Sequence, residues 1–218
     1  MRRTRVKVCG ITCPEDGLLA AEAGADAVGF VFYPMSPRRV DVEQAAAIAR
    51  VLPPFVLRVG VFVDASADEM ARAADVVGLD LLQLHGDEPV EALAGLPRRA
   101  IKAVRVGPGF TTREAVRYAG QAAGIVLDTR LVGETVMPGG TGVPFDWSLV
   151  RGLRDEVGFL MLAGGLSPDN VGAAIGEVRP HAVDVSSAVE RLPGRKDPGR
   201  LRAFVEAVRA TERGGHRR

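Results

Sequence analysis

A chain of 218 residues, 47% of them hydrophobic, has the size of one barrel or one doubly wound domain and can pack a core without external staples. Its net charge of +1 gives no broad pull toward nucleic acid or an acidic membrane, and no apolar run approaches the roughly 18 residues of a spanning helix, so a small, individually recognised ligand is expected. Cys9 and Cys13, the only cysteines, are too close in sequence for a disulfide framework, which points to a reducing, cytoplasmic setting; His85, His181 and His216 lie in no metal-like spacing, so no metal is expected.

In chain order, the first apolar run is Arg5 to Cys9, a strand with Val6 and Val8 on one face and Lys7 and Cys9 on the other. Gly10 permits a sharp turn, and Pro14-Glu15-Asp16 starts a helix that ends near Ala23. Further strands are predicted at Ala27 to Val31, Leu57 to Phe62, Leu81 to Leu84, Ala100 to Arg105, Gly124 to Leu127, Phe159 to Ala163 and Ala182 to Val185. Helices are predicted between and after them at Asp41 to Val51, Ala67 to Val77, Pro89 to Leu96, Thr111 to Gly120, Trp147 to Arg154, Asn170 to Ile175 and Gly199 to Arg209. Eight alternating units with short Val-, Ile- and Leu-rich strands imply an α/β chain with an all-parallel sheet, closed into a single (β/α)8 TIM barrel. An open doubly wound sheet is the competing arrangement, but no G-x-G-x-x-G follows the first strand. The barrel domain is expected over residues 1–211, with a flexible tail over 212–218.

Candidate chemistry gathers at the carboxyl ends of the strands, where barrels bind ligands. Cys9 ends the first strand and serves there either as a reactive thiol or as a small buried hydrophobe. After the second strand, prolines exclude helix from Tyr33 to Arg39, and Arg38 and Arg39 suit a carboxylate or phosphate, or simply water. Gln83 and His85 flank Leu84 at the fourth strand's end. Asp128 ends the sixth strand, in a setting that can raise its pKa enough to make it a usable acid, or else caps the turn that follows. The connection from Thr129 to Pro144, with Gly139-Gly140-Thr141-Gly142, is too glycine-rich for a helix and suggests a mobile lid or ligand loop, or else a passive connector. After strands seven and eight come Ala163-Gly164-Gly165-Leu166 and Asp184-Val185-Ser186-Ser187, where Gly164, Gly165, Ser186 and Ser187 can bring backbone N–H groups to a phosphate.

These stretches, together with Gly24-Ala25-Asp26-Ala27-Val28-Gly29-Phe30, Ser36-Pro37-Arg38, Arg58-Val59-Gly60-Val61-Phe62, Gln83-Leu84-His85-Gly86 and Phe145-Asp146-Trp147, carry a resemblance over nearly the whole chain. The chain resembles the phosphoribosylanthranilate isomerases of tryptophan biosynthesis. That resemblance implies an Amadori rearrangement of N-(5-phosphoribosyl)anthranilate without metal or organic cofactor. Cys9 would be general base, Asp128 general acid and Arg38 the grip on the anthranilate. Gln83, His85, Gly164, Gly165, Asp184, Ser186 and Ser187 would serve as further substrate-binding residues. Ala163 departs from a frequent serine, leaving phosphate binding largely to backbone N–H groups. The partner implied is a small phosphorylated substrate, with no nucleic acid and no membrane, in a monomer or a homodimer. A phosphosugar lyase or synthase on the same barrel would more naturally use a catalytic lysine or a metal, and a non-enzymatic phosphate-binding barrel has no need of both Cys9 and Asp128.

Overall fold

The computed structural model describes residues 3–129 and 144–214. Eight parallel strands close into a barrel in sequence order: β1 Arg5–Cys9, β2 Ala27–Val31, β3 Leu57–Phe62, β4 Leu81–Leu84, β5 Ala100–Val106, β6 Gly124–Thr129, β7 Leu160–Leu162 and β8 Ala182–Val185. The predicted (β/α)8 barrel is therefore present, and the strand positions match within two residues. Strands covered on both faces bury nearly every residue, so Val28, Phe30, Leu82, Leu127 and Val183 are essentially inaccessible. The seam between β8 and β1 is in register, with Lys7 opposite Asp184 and Val8 opposite Val185, while Cys9 lies opposite Gly29 of β2.

The surrounding helices are uneven. Helix α1 Pro14–Ala23 begins on a proline and ends on left-handed Gly24. Helix α2 Val42–Val51 is capped by Asp41, and α3 Ala67–Val77 by a Ser66–Glu69 capping box, a motif whose N-cap is worth about 1 kcal/mol. On the far side the helices shrink. The expected helix Pro89 to Leu96 is one 3-10 turn, Val90–Leu93, because Pro89 precedes it and left-handed Gly95 and then Pro97 follow. Thr111 to Gly120 keeps only α4 Arg113–Val116. Trp147 to Arg154 splits at left-handed Gly152 into a 3-10 turn, Trp147–Val150, and α5 Leu153–Glu156. Helix α6 Val171–Val178 packs against α7 Pro198–Gly214, which also meets α1 and so closes the outer ring.

Between β8 and α7 lies a small antiparallel hairpin that the sequence reading left as loop, β9 Glu190–Leu192 and β10 Arg195–Lys196. Helix α7 continues through Gly214, past the expected boundary at 211, and Glu212 accepts a hydrogen bond from the Thr4 N–H at 3.1 Å. Residues 215–218 of the expected tail, and residues 130–143 of the expected lid with its Gly139-Gly140-Thr141-Gly142 run, lie outside the described residues. No helix among the described residues is long and apolar enough to cross a membrane.

Candidate active site

At the carboxyl ends of the strands is a cavity open to solvent. Cys9, Arg38, Gln83, His85, Asp128, Gly164, Gly165, Asp184, Ser186 and Ser187 all line it, so the residues singled out from the sequence meet in one place. Apolar surface comes from Val31, Val61 and Val63 and from Leu166. Polar groups converging on a partly apolar cleft are what a small-molecule site requires.

Cys9 is half-buried at the end of β1. The chain turns immediately after it: the N–H groups of Gly10 and Ile11 both donate to the Gly29 carbonyl at 3.0 Å. Gly10 has φ +77°, and a Cβ there would lie 2.6 Å from Arg38 Cδ and 3.2 Å from Ser186 Oγ. Glycine thus lets the loops after β2 and β8 close over the turn. Burial pushes the Cys9 thiol up, against the pull of Lys7 and Lys196, so the group rests protonated.

Asp128 is buried in β6 and belongs to a chain of hydrogen bonds. With the Gln83 amide turned so that Nε2 donates to His85 Nδ1 (2.8 Å), His85 keeps its proton on Nε2 and donates to Asp128 Oδ2 (3.0 Å). The Thr129 N–H donates to Asp128 Oδ1 at 2.8 Å. Burial would raise this carboxyl, but the bonds from His85 and Thr129 outweigh it and hold Asp128 below the usual range. The setting therefore does the opposite of what the sequence suggested: it favours the carboxylate, because the bonds from His85 and the Thr129 N–H were not visible from Ile125-Val126-Leu127. Left-handed Gly164 lies directly beneath, where a Cβ would collide with Thr129 and come within 2.9 Å of Asp128 Oδ1.

Of the two loop arginines only Arg38 faces the cavity; Arg39 is exposed. Arg38 does not hang free. Its Nε lies 2.9 and 3.1 Å from the two carboxylate oxygens of Glu190, and Nη2 donates to Oε2 at 2.8 Å. Glu190 also accepts from Lys196 Nζ at 2.8 Å, and that ammonium donates to the carbonyls of Cys9 (2.6 Å) and Ser186 (3.3 Å). Burial would raise Glu190, but the two cations hold it below its ordinary value. The hairpin thus ties the arginine-bearing loop to the end of β1. Neither Glu190 nor Lys196 was singled out from the sequence, where they read as loop charges; only their burial marks them.

Gly164 and Gly165, after β7, both have positive φ, +77° and +64°. Among the described residues the N–H groups of Gly164, Gly165 and Ser187 donate to no protein acceptor. The loop is stapled by Asn170, whose Nδ2 donates to the Gly165 carbonyl and whose Oδ1 accepts from the Ser167 N–H, each at 2.8 Å. Ser186 Oγ donates to the Cys9 carbonyl at 3.1 Å. Such an array of free N–H groups suits an anion. Asp184 sits in β8 with Oδ2 bonded to Lys7 Nζ at 3.0 Å and Oδ1 without a partner among the described residues.

The family model for N-(5'phosphoribosyl)anthranilate (PRA) isomerase matches residues 6–207. The N-(5'-phosphoribosyl)anthranilate isomerase of Pseudomonas aeruginosa (strain LESB58) is 55% identical over 214 residues, covering 98% of this chain and 99% of its own. The crystal structure of phosphoribosyl anthranilate isomerase from Thermotoga maritima aligns with a TM-score of 0.86 at 46% identity, covering 95% of this chain and 99% of that one. A phosphoribosyl anthranilate isomerase in complex with reduced 1-(o-carboxyphenylamino)-1-deoxyribulose 5-phosphate aligns with a TM-score of 0.83 at 44% identity, covering 95% and 99%. With the matching barrel and the clustered side chains, these likenesses mean that the chain belongs to the N-(5'-phosphoribosyl)anthranilate isomerase family, isomerases of tryptophan biosynthesis.

Proposed function

We propose that this chain converts N-(5-phosphoribosyl)anthranilate to 1-(2-carboxyphenylamino)-1-deoxyribulose 5-phosphate, with Asp128 as general acid and Cys9 as general base. The observation that carries this reading is that Cys9 of β1 and Asp128 of β6 line one cavity from separate strands, together with Arg38 and the glycine and serine loops after β7 and β8. An acid and a base on different sides of a bound sugar can act on different atoms of it.

In this reading Asp128 protonates the ribose ring oxygen. The C1–O bond breaks and the anthranilate nitrogen forms an iminium. The Cys9 thiolate takes the C2 proton to give an enolamine, which tautomerises to the ketose, so no atom is gained or lost. Nη1 of Arg38, which donates to no acceptor among the described residues, meets the anthranilate carboxylate, and Glu190 fixes the plane of the guanidinium. The phosphate lies against the N–H groups of Gly164, Gly165 and Ser187 beside Ser186, and the unpartnered Asp184 Oδ1 accepts a sugar hydroxyl. Gln83 and His85 orient Asp128. Anchoring both ends holds the reacting carbons in place.

The ligand-free site favours a proton on Cys9 and none on Asp128, so the working form, thiolate with carboxylic acid, is the less populated arrangement of the same single proton. The assigned residues all belong to one chain, so the reading holds for a monomer or a homodimer. The test is the anthranilate fluorescence change on adding protein to freshly generated substrate, with Cys9→Ser and Asp128→Asn. Each variant is expected to lose on the order of 10²–10⁴-fold in kcat. Full activity in Cys9→Ser would remove the base assignment, and an inactive parent that still binds the phosphorylated product would make this a binding protein.

A further inference from the structure

Lys7 is buried inside the barrel, its side chain 1% exposed, on the same face of β1 as Cys9. The mechanism above does not use it. A buried ammonium is costly to keep charged, and its location has a specific geometry. In the β1–β8 register Lys7 lies opposite Asp184, and Nζ reaches Oδ2 at 3.0 Å. In the β1–β2 register Cys9 lies opposite Gly29. A Cβ on Gly29 would stand 2.8 Å from Cys9 Sγ and 3.1 Å from Lys7 Nζ, so sulfur and ammonium converge on the space that glycine leaves empty. Lys7 is thus bonded to Asp184 and lies beside the thiol.

We propose that Lys7 is the counter-cation of the Cys9 thiolate, held ready by Asp184 and given room by Gly29. The inference rests on the reading of Cys9 as base. When the sulfur carries its proton, the Lys7–Asp184 pair is internally neutral. When the proton leaves, the same ammonium lies between two anions, and the new negative charge meets a cation already in place. Lys7 lies beside Cys9 and does not line the cavity, so it is a positioning residue.

The other charged groups around Cys9 do not replace it. Lys196 lies on the hairpin side, but its Nζ is committed to the Cys9 carbonyl, the Ser186 carbonyl and Glu190. Arg38 lies across Gly10 and is bound bidentately by Glu190. Burial pushes the Asp184 carboxyl up against the pull of Lys7; paired with that ammonium it opposes a thiolate, as does Asp128 across the cavity, and His85 donates to Asp128. Burial opposes charge on Lys7, yet Asp184 and Cys9 together outweigh it and hold the amine above its ordinary value, so it remains a cation through the neutral range.

The experiment measures the Cys9 thiolate in the ligand-free full chain, with Cys13→Ser as background so that one thiol remains. Thiolate absorbance and the iodoacetamide rate are followed against pH. Lys7→Met alone leaves Asp184 uncompensated, so the comparison is made in two pairs: Lys7→Met against the parent, and Lys7→Met/Asp184→Asn against Asp184→Asn. Circular dichroism confirms folding. In both pairs loss of Lys7 is expected to raise the thiol midpoint by about one pH unit, which makes alkylation at pH 7 about tenfold slower. The alkaline limb of kcat/KM moves up with it. An unchanged midpoint in the second pair would overturn the inference, since Lys7 would then matter only as the partner of Asp184. Because alkylation needs no substrate, the two readings fail separately. A raised midpoint with a fully active Cys9→Ser keeps the counter-cation and removes the base; an inactive Cys9→Ser with an indifferent midpoint does the reverse.

Discussion

Glu190→Gln tests whether the hairpin holds Arg38 in place. The side chains of Glu190 and Lys196 are 4% and 0% exposed, and that of Arg38 is 13% exposed. Removing one partner from such a buried group typically costs about 3–5 kcal/mol, because the remaining cations lose their counter-charge. Glutamine keeps the shape and one acceptor oxygen, and Lys196 retains the carbonyls of Cys9 and Ser186, so the lower end, about 3 kcal/mol, applies. At about 2–4 °C per kcal/mol for a chain of this size, the melting temperature falls by roughly 6–12 °C. Glu190 is held below its ordinary value by Arg38 and Lys196 against burial. Its contribution is therefore present above the unfolded value of about 4.3 and lost as pH falls through the lower folded one. The gap between parent and variant narrows accordingly between about pH 5 and 3. Thermal melts read the stability, and the fluorescence assay reads an accompanying rise in KM of on the order of tenfold, equal to about 1.4 kcal/mol of binding. A variant that melts within about 1 °C of the parent at pH 7 and keeps its KM would refute the reasoning.

His85→Ala removes the donor that holds Asp128 ionised. The Asp128 carboxyl then rises, and the acid limb of kcat/KM moves to higher pH; a limb that stays put would mean His85 does not govern this group. The same variant melts lower at neutral pH and converges on the parent in acid, because a depressed carboxyl contributes stability only above its unfolded value. Gly164→Ala forces a Cβ against Thr129 in a left-handed backbone and displaces Asp128, so kcat falls by about tenfold or more while secondary structure is retained; wild-type turnover would show that the loop yields. Asn170→Ala cuts both staples of the glycine loop, and inorganic phosphate then inhibits several-fold more weakly, as titration calorimetry or competition kinetics can measure.

Much of the barrel was readable because doubly covered parallel strands must be short apolar runs, and Gly, Pro and Asp punctuate them here: Val28-Gly29-Phe30 and Ile125-Val126-Leu127 allow little else. The helices on the far side were not readable. Ala115 and Val116 carry helical character, but after Val116 the chain runs through turns to left-handed Gly120, and Gly152 breaks the run from Trp147. At the cavity, position along the strands brought out Cys9, Asp128 and the glycine loop, since residues that end parallel strands share a rim. Lys7 could have been found from its alternation with Cys9, which puts both on one face. Glu190 and Lys196 could not: their meaning lies in contacts with residues 152 and 187 positions away. The direction of the Asp128 shift was hidden for the same reason, because it depends on His85, 43 residues earlier.

The hairpin also bears on when the protein can first work. The bonds that hold the end of β1 arrive late: Ser186 and Asp184 meet Cys9 and Lys7 across 177 residues, and Lys196 meets Cys9 across 187. Closing so long a stretch of chain is entropically demanding and slow, and on a ribosome it waits for nearly the whole polypeptide. A nascent chain that has made β1 to β7 holds the thiol, the aspartate and the arginine and still has no assembled pocket. Activity is expected to emerge only with the final units, so that fragments truncated before residue 196 assay as inactive.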